Sequence, residues 1–209
     1  MPTIAPYGSW RSPIAPAVVA AAGRRLAAPK LAGDGAIWWA EGRPSEGGRV
    51  ALVRRPAGGE PEDVTPPGWN ARTRVHEYGG GAWTVVAPDL VVFANFADQR
   101  LYRQRLGEEP VAIASEPGDL RYADMRLAPD GRTVVCVREI GGAGEAENQI
   151  VALALDGSGE PAVLASGRDF YSFPRVSPDG CWLAWTCWDH PNMPWDGTEL
   201  WVAPLDDTA

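Results

Sequence analysis

A short turn sequence recurs along this chain and limits the folds that the chain can adopt. Pro-Asp-Gly stands at 129–131 and again at 178–180, and a run of β-branched or aromatic residues follows each copy. Weaker copies lie at 33–35 and 87–89. Proline presets φ, aspartate bonds back to the chain and glycine accepts a positive φ, so this sequence is typical of a hairpin turn. The chain therefore contains four copies of one β-rich unit.

The spacing of the turns predicts the architecture. Asp34, Asp89, Asp130 and Asp179 are separated by 55, 41 and 49 residues, which is about the length of one four-stranded propeller blade. Further short β-rich runs follow the turns, at 49–53, 63–65, 100–103, 110–114, 149–153, 161–165 and 199–202. We therefore predict an all-β fold: a partial β-propeller of about three and a half four-stranded blades, incomplete at the C-terminus.

The predicted partial propeller divides the chain into two parts. Residues 1–30 are predicted to form a lead-in segment, with a helical candidate at 15–25, and 31–209 to form the partial propeller. We expect its blades at about 31–70, 80–115, 122–166 and 170–209, the last incomplete. A β-sandwich is the alternative, because turns every 8 to 12 residues also suit one.

An incomplete propeller has open hydrogen-bonding edges. Closure needs 4 to 8 blades around one axis. We therefore expect either that this chain is a piece of a larger protein or that it forms an oligomer through its open blade edges.

The charge of the chain excludes some partners. Its net charge is −8, and Lys30 is the single lysine among 19 cationic residues. Without a basic run, we expect neither nucleic acid nor an acidic membrane surface as a partner.

Localisation is inferred from the apolar and cysteine residues. The apolar run 14–22 resembles a short signal-peptide core, but Pro16 and the pair Arg24-Arg25 favour an apolar segment of the fold. Three cysteines cannot pair completely, so we predict three buried free thiols and a reducing, cytoplasmic setting.

The sequence predicts no catalytic residues, metal site or cofactor. It contains no G-x-S-x-G, P-loop, H-E-x-x-H or C-x-x-C pattern, and its histidines are His76 and His190 alone. A metal-dependent, lactonase-type propeller is a remote alternative, because acidic and histidine ligands do not converge in the sequence. For the five tryptophans between 182 and 201, we expect packing between blades rather than a ligand surface.

Four longer strings carry a family resemblance. They are Tyr-Gly-Ser-Trp-Arg-Ser-Pro-Ile at 7–14, Arg-Val-His-Glu-Tyr-Gly-Gly-Gly-Ala-Trp at 74–83, Phe-Ala-Asn-Phe-Ala-Asp-Gln-Arg-Leu-Tyr at 93–102, and the segment 188–201 that begins Trp-Asp-His-Pro-Asn-Met-Pro-Trp-Asp. With them the chain resembles the N-terminal propeller of a prolyl oligopeptidase (S9) family serine peptidase, in the branch of acylaminoacyl peptidases and dipeptidyl aminopeptidases. TolB-like propellers share the Pro-Asp-Gly turns but not these longer strings.

The resemblance implies a two-part enzyme. In such enzymes a propeller of about seven blades caps a C-terminal α/β-hydrolase domain, which carries Ser, Asp and His and is missing from this chain. The cap admits short peptides, so gating and substrate positioning are the functions expected of this part. A stand-alone, TolB-like binding module that closes by association is the alternative.

Two loops are the candidates for lining the substrate chamber, at 74–81 and 189–196. Glu77 or Asp196 would meet a substrate ammonium group, and Tyr78 or Trp195 would pack on its side chain. The alternative is that polar groups of these loops only fix their conformation. The candidate substrate-binding residues are His76, Glu77, Tyr78, Asp189, His190, Trp195 and Asp196.

Overall fold

The computed structural model describes residues 4–10, 12–20, 23–114, 119–142 and 144–205. Its one α-helix there, α1, spans Pro16–Ala20 and is shorter than the predicted 15–25, and a 3₁₀ turn spans Pro44–Glu46. Proline at the first position of α1 has no N–H to leave unpaired. Strands make up the rest of the regular structure.

In the described part of the chain, fifteen antiparallel strands form four sheets, and the strands of each sheet follow one another in chain order. Sheet 1 contains β1 (Arg25–Leu31), β2 (Ile37–Arg43), β3 (Arg49–Arg55) and β4 (Glu62–Asp63). Sheet 2 contains β5 (Trp83–Ala87), β6 (Leu90–Ala94), β7 (Leu101–Arg105) and β8 (Val111–Ala112). Sheet 3 contains β9 (Leu120–Leu127), β10 (Thr133–Ile140), β11 (Glu147–Ala154) and β12 (Ala162–Ala165). Sheet 4 contains β13 (Phe170–Val176), β14 (Trp182–Trp188) and β15 (Glu199–Pro204).

The predicted partial propeller is confirmed, because within the described residues three sheets have four strands, the fourth has three, and the sheets do not close. The first sheet begins at Arg25, within the stretch that the sequence assigns to the lead-in segment.

The turn chemistry agrees with the sequence prediction. Asp34, Asp130 and Asp179 each accept, through Oδ1, an N–H two residues later, over 3.1, 2.9 and 3.0 Å. The glycine that follows each aspartate has a φ between +69° and +79°, a conformation that favours glycine. These turns connect the first strand of a sheet to its second.

Three hydrophobic clusters lie between the four sheets. Trp38 and Leu52 of sheet 1 pack with Phe93 of sheet 2. Sheets 2 and 3 share a cluster that includes Met125, and sheets 3 and 4 share one that includes Tyr171. The core is therefore divided among the interfaces between blades.

Strand β10 is apolar on both faces because sheet 3 lies between sheets 2 and 4. In β10, Val134 and Cys136 join the cluster with sheet 2, whereas Val135 and Val137 join the cluster with sheet 4. Alternate side chains of a strand point to opposite faces, so a continuous apolar run fits a sheet covered on both sides.

The outer faces of sheets 1 and 4 have no such neighbour among the described residues. Leu31 is 75% exposed on sheet 1, and Leu200 is 73% exposed on sheet 4. Tryptophan packing is only partly as predicted: Trp185 and Trp188 are buried, whereas Trp182, Trp195 and Trp201 are exposed.

The prediction of three buried thiols is wrong for one cysteine. Cys136 and Cys187 are buried within strands, but Cys181 is exposed because it directly follows the turn glycine Gly180. All three are free.

Strand order places the connections at two ends of the sheets. The Asp-Gly turns and the connections between third and fourth strands lie at one end. The connections between second and third strands and those between blades lie at the opposite end, which we name the linker end. Both candidate loops belong to the linker end, because 74–81 connects sheets 1 and 2 and 189–196 connects β14 to β15.

Candidate functional site

A cavity of about 440 Å³ opens at the linker end. The loop between β4 and β5, the connection between β10 and β11, and the loop between β14 and β15 all contribute to its wall. Strand order brings these three connections to the same end of the sheets, although up to about 120 residues separate them in the chain. We refer to it as the acidic cavity, for the charges described below.

The loop 74–81 enters this cavity in a constrained conformation. His76 and Glu77 have positive φ values of +54° and +63°, which few non-glycine residues adopt. Gly79 has a φ of +88°, and a Cβ there would lie 3.0 Å from the carbonyl oxygen of Thr73. A long-range contact holds the loop here, in which the His76 N–H donates to Glu139 Oε2 over 2.6 Å.

Glu139 anchors that loop to sheet 3. It is 2% exposed, and its Oε1 accepts from Arg121 Nη1 over 2.5 Å. Arg121 also donates to Asp119 over 3.3 Å. Both oxygens of Glu139 are therefore engaged, one by a guanidinium and one by the backbone of the loop. A buried carboxylate needs such partners to remain charged.

The His76 ring lies in an aromatic cluster at the cavity wall. Its centroid is 5.2 Å from that of Phe170 and 5.5 Å from that of Trp188, and those two rings are stacked at 5.2 Å. His190 meets Phe170 edge-on at 4.8 Å. The cavity thus has one aromatic side.

Burial disfavours protonation of His76. Desolvation lowers the pKa of its imidazole below 6.5, against the opposing influence of Glu139, Asp124 and the Asn148 side chain. Its Nε2 atom and Asn148 Oδ1 are both buried without a hydrogen-bond partner in the described part of the chain. Unpaired buried polar atoms are uncommon in folded proteins.

The loop 189–196 is held by its own carboxylates and by Asp169 of the cavity wall. Asp189 Oδ1 accepts from the N–H of Asp169, and Asp169 Oδ2 in turn accepts from the N–H of His190 over 2.8 Å. Asp196 Oδ2 accepts from the N–H of Met193 over 3.2 Å. Asp189 and Asp196 therefore have loop-fixing bonds.

The structure brings together four of the seven predicted residues at the cavity wall. These are His76, Glu77, Tyr78 and His190. Asp189, Asp196 and the 75%-exposed Trp195 do not line it. The sequence prediction omitted several wall residues from sheets 3 and 4: Asp119, Arg121, Glu139, Glu145, Asn148, Asp169, Phe170 and Trp188. These residues could have been found from the predicted strand order, because it places their loops at the linker end.

The wall carries excess negative charge. Among the described residues, its carboxylates are Glu77, Asp119, Glu139, Glu145 and Asp169, and Arg121 is its one arginine or lysine. Glu139 and Asp119 pair with Arg121, whereas Glu77 and Glu145 form no ion pair with the described residues. An acidic wall beside aromatic rings suits a ligand with an ammonium group and an apolar side chain.

Two further findings concern metals and membranes. Within the described ranges, no three His, Cys, Asp or Glu side chains are grouped as metal ligands. No described helix is long and apolar enough to cross a bilayer.

Solved structures resemble nearly the whole chain. A puromycin-hydrolysing peptidase of Mycobacterium tuberculosis is 44% identical over 97% of this chain, with a TM-score of 0.87. A puromycin hydrolase is 41% identical over 97%, with a TM-score of 0.86. This chain covers 34% of each, so it spans about a third of their length.

More distant structures share the fold alone. TolB from Acinetobacter baumannii is 17% identical, with a TM-score of 0.57, over 87% of this chain. No protein-family model and no curated protein sequence matches the chain.

Proposed function

Because this chain corresponds to the propeller portion of a peptidase of the prolyl oligopeptidase (S9) family, we propose that it gates and positions substrate for an enzyme that hydrolyses short peptides. The observation that carries the proposal is the match of 97% of the chain, at 44% identity, to a third of a puromycin-hydrolysing peptidase. The catalytic Ser, His and Asp would belong to an α/β-hydrolase domain outside this chain.

The proposed chemistry is acyl transfer. In the complete enzyme, a serine would attack the scissile carbonyl, a histidine would take its proton, and backbone N–H groups would stabilise the oxyanion. Residues of this chain would take no part in bond breaking. Their contribution would be orientation, which lowers the entropic barrier when the substrate is held close to its reacting geometry.

The acidic cavity supports a specific role in orientation. Glu77 and Glu145 would face the ammonium group of a peptide or amine substrate, because neither is neutralised by an ion pair in the described structure. Phe170 and Trp188 would contact its apolar side chain. Of the predicted pair Glu77 and Asp196, the first fits this role, since Asp196 does not line the cavity.

Substrate kinetics test this proposal in the complete enzyme. We expect Glu77→Gln combined with Glu145→Gln to lower kcat/KM for a free-amine peptide substrate by about tenfold or more, from loss of charged contacts. An N-acetylated version of the same peptide should be affected little. Glu160→Gln, an exposed glutamate at the opposite end of the sheets, is the matched control.

The comparison of the two substrates decides the outcome. Equal losses for the free-amine and acetylated peptides would contradict ammonium recognition by this cavity. Labelling of the native protein by a fluorophosphonate probe, at a mass far above 22.4 kDa, tests the association with a serine hydrolase domain. A band at 22.4 kDa without label would instead favour a separate binding module.

The free cysteines support a proposed location. We assign the protein to the cytoplasm, where thiols remain reduced, because Cys136, Cys181 and Cys187 are all unpaired.

A further inference from the structure

Three of the four first strands repeat one local pattern. In β1, β9 and β13 a residue with positive φ is followed two positions later by a cation, as Ala28 by Lys30. The other two pairs are Asp124 with Arg126 and Phe173 with Arg175. Each pattern coincides with an irregularity in the strand register, as expected of a β-bulge, which re-aims nearby side chains.

Sheet 2 departs from the pattern. Aligned on its Pro-Asp turn, β5 has Val85 where the other first strands have a cation. Two of the three cations point toward this strand: Lys30 Nζ lies 4.9 Å from the Trp83 ring centroid, and Arg126 Nη1 lies 3.5 Å from Thr84 Oγ1. The repeat therefore gathers positive charge beside β5.

A second cavity of about 360 Å³ lies at this position, between the first strands. Lys30, Arg72 and Arg126 line it, together with Asp124 and the apolar surface of Phe173. We name it the basic cavity.

The positive charge there is not neutralised by the described residues. Lys30, Arg126 and Arg175 form no ion pair with a described carboxylate. Asp124 is the single carboxylate in the lining, and both its oxygens accept backbone N–H groups, from Gly81 over 2.8 Å and from Phe173 over 3.1 Å. Burial, together with the charges of Arg126 and Arg175 and against the opposing effect of Asp124, lowers the pKa of Lys30 to about 8.

We propose that the basic cavity binds an oxyanion, which Lys30 and Arg126 contact directly and Arg175 attracts. A carboxylate of a peptide or an inorganic phosphate has the required chemistry, because ammonium and guanidinium groups donate charge-assisted hydrogen bonds to both. The cavity is distinct from the acidic cavity in its lining, apart from Tyr78, which borders both. The proposal does not depend on the peptidase assignment.

The single lysine gives the proposal a direct probe. Reductive methylation with ¹³C-formaldehyde keeps the charge of Lys30 and gives it one side-chain NMR signal, whose pKa can be followed. The ligands are N-acetyl-trialanine with a free carboxylate, the same peptide with a C-terminal amide, inorganic phosphate, and sodium chloride at matched ionic strength.

An occupied site should move the pKa of Lys30 from about 8 toward its ordinary value of 10.5. A response to the free acid but not to its amide supports a carboxylate ligand, and a response to phosphate alone assigns the site to phosphate. An equal response to sodium chloride, or no response to any anion, overturns the proposal.

Two variants distinguish anion binding in the basic cavity from the effect of losing a positive charge elsewhere on the chain. Arg126→Gln should weaken anion binding at least about tenfold and raise the pKa of Lys30 in the absence of anion. Arg132→Gln, at an exposed turn, is the matched control and should change neither. Urea unfolding of each variant verifies that it is folded. If Arg126→Gln is folded and binds the anion as tightly as the parent chain does, the proposal is wrong.

Discussion

The backbone N–H of Gly81 donates to Oδ1 of Asp124 over 2.8 Å, while the N–H of Asp124 donates back to the carbonyl oxygen of Gly81 over 2.7 Å. This reciprocal pair connects the strand-free segment before β5 to the middle of β9. A Cβ on residue 81 would lie 2.5 Å from Asp124 Oδ1, so the contact requires glycine.

Gly81→Ala should therefore destabilise the fold. The added methyl group must displace the carboxylate, and the N–H groups of Gly81 and Phe173 then lose their acceptor. We expect a loss of about 2–3 kcal/mol in the free energy of unfolding, measured by urea denaturation. Gly33→Ala is the control, because a Cβ there meets nothing within 4 Å and its φ is not positive. Similar losses in both variants would contradict the proposed role of the contact.

Protonation of His76 should lower stability in mild acid. Its pKa is below 6.5 in the fold because burial disfavours the charged ring. The unfolded chain therefore binds the proton more strongly, and the free energy of unfolding falls as the pH drops below about 6.5. His76→Asn tolerates the left-handed backbone and removes this titration. Urea midpoints between pH 7.5 and pH 5 should decline less in His76→Asn than in the parent chain, and parallel declines would refute the prediction.

The charge of Lys30 should oppose folding at neutral pH. Its pKa is about 8 in the fold and 10.5 as an ordinary lysine, so the unfolded chain binds more protons between these values. Stability of the parent chain should therefore rise from pH 8 to pH 10.5. In buffer of low anion content, Lys30→Met should be about 1 kcal/mol more stable at pH 7, since solvent partly screens the half-buried ammonium. Thermal unfolding should show this advantage shrinking as the pH rises, and a constant difference would count against it.

Thiol labelling should distinguish the three cysteines. Cys181 is exposed, whereas Cys136 and Cys187 are buried and burial raises the pKa of both thiols. Because the thiolate is the reactive form, iodoacetamide should modify Cys181 alone in the native state and all three in urea. Peptide mass spectrometry identifies the modified sites. Rapid native labelling of Cys136 would show that the packing between sheets 2 and 3 is looser than described.

The blades were predictable because their signals are local. A turn such as 178–180 is specified by three adjacent residues, and the apolar runs of β6 and β10 satisfy two neighbouring sheets at once. The incomplete fourth sheet was predictable in the same way, by counting turns and strands along the sequence. Exposure was less predictable, because Trp182 resembles a core residue in sequence and is exposed on the face of sheet 4 that no described sheet covers.

The candidate site was only partly predictable because its contacts are long-range. The motif 76–81 pointed to one wall, but the anchor of that loop, Glu139, lies 63 residues from His76. The β-bulges in β1, β9 and β13 could not be predicted from the sequence for a related reason. Ala28, Asp124 and Phe173 share no chemistry, and their common backbone conformation follows from strand pairing rather than from residue type.

Tyr78 borders both cavities, and its loop is tied to sheet 3 on either side, through His76 to Glu139 and through Gly81 to Asp124. A ligand that displaces this ring from one cavity also changes the wall of the other. The two binding equilibria would then be thermodynamically linked, and each ligand would alter the affinity of the other by the same factor. For a zwitterionic ligand, with its ammonium group in one cavity and a carboxylate in the other, this shared wall would make recognition of the two ends cooperative.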